Sequence, residues 1–295
     1  MSSDDQSTGI DFALYRYTPS LAAGILFLVL FLLTTVYHVY QVICMRSSYM
    51  LVFVTGGVFQ IIGYICRILA HYDKESIPVY SVGTIMILLA PPLYAASIYM
   101  TLGRLIRHLD AESISVVPTR WLTGIFLTGD IVAFVMQAAG GGIMASGTIS
   151  AMHTGEKITI VGLCIQLLFF SVFIITSTIF HWRIYKQPTR MSLEGARKNW
   201  KQTSWETIMV VLYASSILIL IRSIFRLIEY AQGNDGYLIS HEVFMYVFDA
   251  MLMFFTMVVM SIYHPSQLLG KRAKAAQLSC DSRETSAEMQ SMESP

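Results

Sequence analysis

PSLAAGILFLVLFLLTTVYHVYQVI, residues 19–43, is a run of apolar and small residues without one Asp, Glu, Lys or Arg. A bilayer core about 30 Å thick is crossed by about 20 helical residues, so this stretch is long enough to span it. Six more segments of the same kind follow, at Tyr49–His71, Tyr80–Leu102, Trp121–Ile143, Ile158–Trp182, Thr207–Ile228 and Val243–Tyr263. Together they predict an all-α, polytopic seven-transmembrane-helix bundle. Charged residues make up 13% of the chain, about half the share usual in soluble domains, so lipid must supply much of the apolar environment.

Net charge is +1, which removes any global basic field for nucleic acid and turns attention to where the cations lie. Arg16, Lys74 and Lys157 fall at one set of loops and tails. Arg46, Arg104, Arg107, Arg120, Arg183, Lys186, Arg190, Arg197, Lys198, Lys201, Lys271, Arg272, Lys274 and Arg283 fall at the other. Cytoplasmic loops carry the excess of Lys and Arg; the expectation is an N-terminus outside and a C-terminus in the cytoplasm. Residues 1–14 read as a flexible extracellular tail, 15–269 as the membrane domain and 270–295 as a disordered cytoplasmic tail poor in large apolar residues. No internal repeat of the secondary-transporter kind is visible. Cys44, Cys66, Cys164 and Cys280 have neither disulfide nor zinc spacing.

The remaining cations, Arg67, Arg222 and Arg226, lie inside spans. An ionised group at membrane depth costs at least about 2.5–3.5 kcal/mol and normally faces the bundle interior or water, so it marks a candidate site. Gln60, Gly63, Tyr64 and Arg67 recur at i, i+3, i+4 and i+7, the spacing of one helical face. Asp130 and Gln137 in the fourth span, Gln166 in the fifth, Arg222, Arg226 and Glu229 in the sixth, and Glu242, Tyr246 and Asp249 in the seventh extend the polar stripes to five helices. Three cations against four acids are expected to pair around a polar cavity in the outer half of the membrane. Asp130, near mid-depth, is the carboxyl expected to exchange a proton. A cationic amphiphile would place its amine on Asp130, Glu242 or Asp249 and its tail near Met245, Tyr246 and Phe248. An anionic head would use Arg67, Arg222 and Arg226. Two backbone signals are also present. Pro91-Pro92 removes two donors from the third span and is expected to kink it; Gly140-Gly141-Gly142 allows either close helix approach or a turn.

The run Gln60-Ile-Ile-Gly63-Tyr64-Ile-Cys-Arg67, Ala90-Pro91 through Ala95-Ala96 and Tyr99 to Gly103-Arg104, Asp130 to Gln137 and Gly140-Gly141-Gly142, Ile221-Arg222-Ser223-Ile-Phe225-Arg226 with Glu229, then Glu242, Tyr246, Asp249 and His264-Pro265 resembles the fungal lipid-translocating exporter family. Tyr15, Tyr17, Pro19 and Ser20 at the entry to the first helix fit the same pattern. The chain departs from it at Gln60, where the family usually has Glu. The resemblance implies a seven-helix plasma-membrane protein that moves, or confers tolerance to, amphipathic lipids of the sphingoid long-chain-base or sterol-like type, with membrane lipids as its surroundings. No cofactor is expected, and no Walker A motif is present. Two other classes compete. A receptor-like lipid sensor shares the topology, although Leu102-Gly103-Arg104 and Tyr263-His264-Pro265 lack rhodopsin-like receptor triplets. A zinc-dependent membrane lipid hydrolase would have to build its site from His71, His241 and Glu242, short of the about four ligands zinc prefers.

Overall fold

The computed structural model describes residues 20–72, 76–144, 149–196, 204–232 and 237–263. The N-terminal entry at Tyr15, Tyr17 and Pro19, the basic stretch Arg197–Lys201, His264-Pro265, Lys74, Cys280 and both tails lie outside the described residues.

Seven helices are long and apolar enough to cross a membrane. In chain order the helices are α1 Leu21–Met45, α2 Leu51–Tyr72, α3 Ile77–His108, α4 Thr119–Met144, α5 Ile149–Lys186, the short α6 Arg190–Ala196, and α7 Trp205–Ala231. The last crossing, Glu242–Ile262, is composite. After the single turn α8, Tyr237–Ser240, it comprises α9, Glu242–Met245, a π-helical segment, Tyr246–Ala250, and α10, Met251–Ile262. No strand occurs among the described residues. The seven expected spans are therefore all present. Those in α3 and α5 run several residues past the apolar stretches, because helical hydrogen bonding continues into polar sequence wherever a neighbour supports it.

Each crossing packs on the next, α5 packs on α7, and α10 returns to α1, while α3 also touches α7 and is the most buried crossing. The lipid-facing exterior displays Leu26, Leu33, Tyr40, Ile43, Val135, Leu168, Val210 and Ile217. At the α1 N-terminus, the Ser20 side chain accepts a hydrogen bond from the Ala23 amide, satisfying one unpaired donor of the first turn. At the opposite end, Thr189 donates to the Leu109 carbonyl at 2.7 Å, Arg183 to Ile114 at 3.2 Å and Trp205 to Ser192 at 3.2 Å. There the Arg104 guanidinium sits 4.3 Å above the Tyr49 ring, tying α3 to the start of α2.

Gly140-Gly141-Gly142 stays helical; no turn forms there. A Cβ at Gly140 would lie 2.2 Å from Thr159 Oγ1 and 2.5 Å from the Gly155 carbonyl, whereas Gly141 and Gly142 face open space. The first glycine thus lets α4 and α5 touch along their backbones, and the other two do not take part. Pro91 and Pro92 lie inside α3, which continues through them. Their missing amides deprive the Ile87 and Leu88 carbonyls of their in-helix donors.

Candidate functional site

The face of α2 that the spacing defined is built as expected: Gln60, Gly63, Tyr64 and Arg67 are all buried. Gly63 is required by close packing, since a Cβ there would lie 2.5 Å from Ile87 Cγ1 of α3. On α7 the i, i+4, i+7 set Arg222, Arg226 and Glu229 is likewise buried. The π-helical segment in the last crossing turns Tyr246 and Asp249 inward together, and such wide turns recur at functional sites.

Two ion-pair groups result, both toward the end of the bundle where α1 begins. In the first, Arg67 Nη2 donates to Glu242 Oε1 at 3.1 Å and Arg67 Nε to the Tyr246 hydroxyl at 3.2 Å. The Glu242 carboxylate also accepts the Ser20 amide on both oxygens at 2.9 Å, so it ties α1, α2 and the last crossing together. In the second, Arg222 Nε and Arg226 Nη2 each donate to one oxygen of Asp249, and Arg226 Nη1 donates to Glu229 at 3.0 Å. Arg222 Nη2 reaches the Ile87 carbonyl at 3.4 Å. That acceptor is one the Pro91 ring left without an amide donor, so the proline break in α3 and the arginine of α7 meet at one atom. Three arginines face three carboxylates, a balance that lets five of these groups stay buried, with Glu242 partly so, where isolated ones would be expelled.

An aromatic wall backs the first group. Phe27 stacks on Tyr246 at 5.3 Å between centroids, and Phe31 on Tyr64 at 5.3 Å. Phe248 faces the other way, stacking on Phe225 at 5.2 Å with its edge exposed.

Asp130 stands apart from the arginines. Its Oδ2 accepts the Tyr99 hydroxyl at 2.9 Å, its Oδ1 has no hydrogen-bond partner among the described residues, and Phe126 and Phe173 pack on the Tyr99 ring. Gln137 and Gln166 form a second hydrogen-bonded pair, joining α4 to α5 at 2.9 Å. The polar residues therefore divide into a group that includes the arginines, between α2, α7 and the last crossing, and a group without arginine, between α3, α4 and α5. Placing an amine on Asp249 or Glu242 would mean displacing donors already bound there. Among the described residues no group of three or more His, Cys, Asp and Glu is placed to hold a metal ion. His241 packs against Tyr237 and Phe244.

A third polar seam escaped the sequence reading. His38 Nε2 of α1 lies 3.0 Å from the Met257 carbonyl and 2.9 Å from the Ser261 hydroxyl, and Gln41 donates to the Ser261 carbonyl at 2.7 Å. Thr34, His38 and Gln41 at i, i+4 and i+7 were the available signal, muted because none carries a fixed charge. Tyr99 was equally silent as a functional residue, since a tyrosine in an apolar run reads as packing.

Residues 53–272 match the family described as RTA1 like protein. Protein RTM1 of Saccharomyces cerevisiae is 35% identical over 88% of this chain and 93% of its own length. The Probable lipid transporter atnI of Emericella nidulans is 31% identical over 87% of this chain and 68% of its own. The Sphingoid long-chain base transporter RSB1 of Saccharomyces cerevisiae is 27% identical over 84% of this chain and 72% of its own. No solved structure is significantly similar.

Proposed function

The chain belongs to the RTA1-like protein family, and from that premise we propose that this integral membrane protein translocates amphipathic lipids of the sphingoid long-chain-base or sterol-like class and confers tolerance to toxic amphiphiles. The observation that carries the reading is the charge-balanced network of buried Arg67, Arg222, Arg226, Glu229 and Asp249 with the partly buried Glu242. A bundle whose only task was to pack in lipid has no need to hold five ionisable groups in its interior. Gln60, Tyr246, Asp130, Gln137 and Gln166 complete the proposed substrate path. Relatives named as lipid and long-chain-base transporters support translocation over catalysis.

The distribution of Lys and Arg supports an N-terminus outside, with the network in the outer half of the bilayer, and the resemblance to lipid-translocating exporters supports a plasma-membrane setting. The membrane domain then spans residues 15–269, between an extracellular tail and a cytoplasmic one. Asp130, a carboxylate with a tyrosine and no arginine on it, is the group that would couple movement to a proton.

The test is uptake and release of a labelled long-chain base by cells expressing wild type, Asp130→Asn, Arg226→Ala or Asp249→Asn at matched surface levels. Accelerated release by wild type, lost in the three variants, supports the reading. Lipid movement that is the same with and without the protein refutes it for that class and favours the lipid-sensor alternative.

A further inference from the structure

Beside the saturated ion pairs lies a set of buried polar atoms with no hydrogen-bond partner among the described residues: Gln60 Oε1 and Nε2, the Tyr64 hydroxyl and Arg226 Nε. Gln60 and Tyr64 are one turn apart on α2, 1% and 0% exposed. Tyr64 packs on the α1 rings Phe27 and Phe31 and on Tyr246 of the last crossing, within electrostatic reach of Asp249, Arg67 and Arg226. Gln60 lies one turn before Gly63, which packs on Ile87, the residue whose carbonyl faces Arg222. Tyr64 thus stands at the aromatic wall beside the network, Arg226 is a member of the network, and Gln60 lies one turn from Tyr64 on the same buried face of α2. Buried polar groups are nearly always partnered, by protein, water or ligand.

We infer that Gln60, Tyr64 and Arg226 Nε form a headgroup site for an uncharged, hydroxyl- or amide-bearing amphiphile. The inference rests on the translocator reading only for the origin of its ligand. The donor and acceptor inventory decides the class. Gln60 offers a carbonyl acceptor and two N–H donors, Tyr64 one donor and acceptor, and Arg226 Nε one donor. An ammonium head supplies donors only; it would leave the Gln60 amide and Arg226 donors unmet and would approach a guanidinium. A phosphate head supplies acceptors and would compete with Asp249 for arginines that are already paired. A hydroxyl or an amide both gives and accepts, matching the unpaired set without breaking any of the four ion pairs. Glutamine suits this role better than a carboxylate would, because it adds no fourth negative charge to a balanced group.

The experiment is native mass spectrometry of the full-length protein in neutral detergent, with dodecanoylglycerol, dodecylamine or dodecyl phosphate added at equal concentration to wild type, Gln60→Met and Tyr64→Phe. Both substitutions conserve shape and delete unpaired polar atoms, and melting is followed on the same samples without probe. The expected result is preferential binding of dodecanoylglycerol, reduced about tenfold in Gln60→Met and less in Tyr64→Phe, with melting unchanged or raised in both. Preference for either charged probe, equal binding by the variants, or absence of any complex overturns the inference. So does a lowered melting temperature in both variants, which would mean that the atoms are held by fixed structural partners. Failure of lipid release in cells refutes translocation and leaves these binding outcomes untouched.

Discussion

Replacing Asp249 with asparagine is expected to be among the most damaging conservative changes in the bundle. Asp249 is 1% exposed and takes a guanidinium on each carboxylate oxygen, from Arg222 and Arg226. Asparagine keeps the volume but removes the charge, leaving three buried arginines facing two carboxylates. Breaking a buried ion pair from one side costs about 3–5 kcal/mol. At about 2–4 °C per kcal/mol for a chain of this size, the melting temperature should fall by roughly 6–20 °C. Asp130→Asn is the control at similar burial. It removes a carboxylate that pairs with no arginine among the described residues and keeps an acceptor for Tyr99, so its cost should stay within about 1 kcal/mol. The double variant Arg222→Gln/Asp249→Asn restores the balance at two and two, and it should melt above Asp249→Asn alone. Thermal unfolding of purified protein in detergent reads all three. If Asp130→Asn is as destabilising as Asp249→Asn, or if the double variant melts below both singles by the sum of their effects, then charge balance is not what holds this network and the reasoning fails.

At the α4–α5 contact, Gly140→Ala should cost at least about 1–3 kcal/mol by overpacking against Thr159 and Gly155, whereas Gly141→Ala should be neutral or gain up to about 1 kcal/mol of helix propensity; paired melting curves check the contrast. Pro91→Ala returns an amide to the Ile87 carbonyl in competition with Arg222 Nη2, so stability should hold or rise while lipid release slows. That prediction fails if release is unchanged at equal surface expression. On α1, Gln41→Leu should lower stability by about 1–2 kcal/mol through loss of its bond to the Ser261 carbonyl, and equal melting of the variant would show that seam to be incidental. For orientation, single cysteines placed at Tyr72 and Lys186 in a background without the native ones should label from outside and inside the cell respectively with an impermeant maleimide. The reverse pattern would invert the topology.

Seven crossings were legible because twenty consecutive apolar residues have few other fates, and the stripes on α2 and α7 because a 3.6-residue period puts Arg67 under Gln60 and Arg226 under Arg222. The limits of α3 and α5 were less visible. Their last turns, including His108 and Arg183 to Lys186, are polar, and contacts such as that of Arg183 with Ile114 brace them at the bundle end. The α1 seam went unread for a related reason: Thr34, His38 and Gln41 are cheap enough to bury that their spacing raises no alarm.

What the sequence determined by itself is which groups must be hidden and from what: apolar faces turned to lipid, and Arg67, Arg222, Arg226, Glu229, Glu242 and Asp249 turned away from it. Only the tertiary structure decided who pairs with whom. A carboxylate in a low-dielectric interior will accept any donor within reach, so the choice depends on helix order, rotation and depth. Those placed Asp249 between two arginines of one helix, gave Glu242 to Arg67 and the Ser20 amide, left Asp130 to Tyr99, and brought Arg222 to the carbonyl that a proline on α3 had set free.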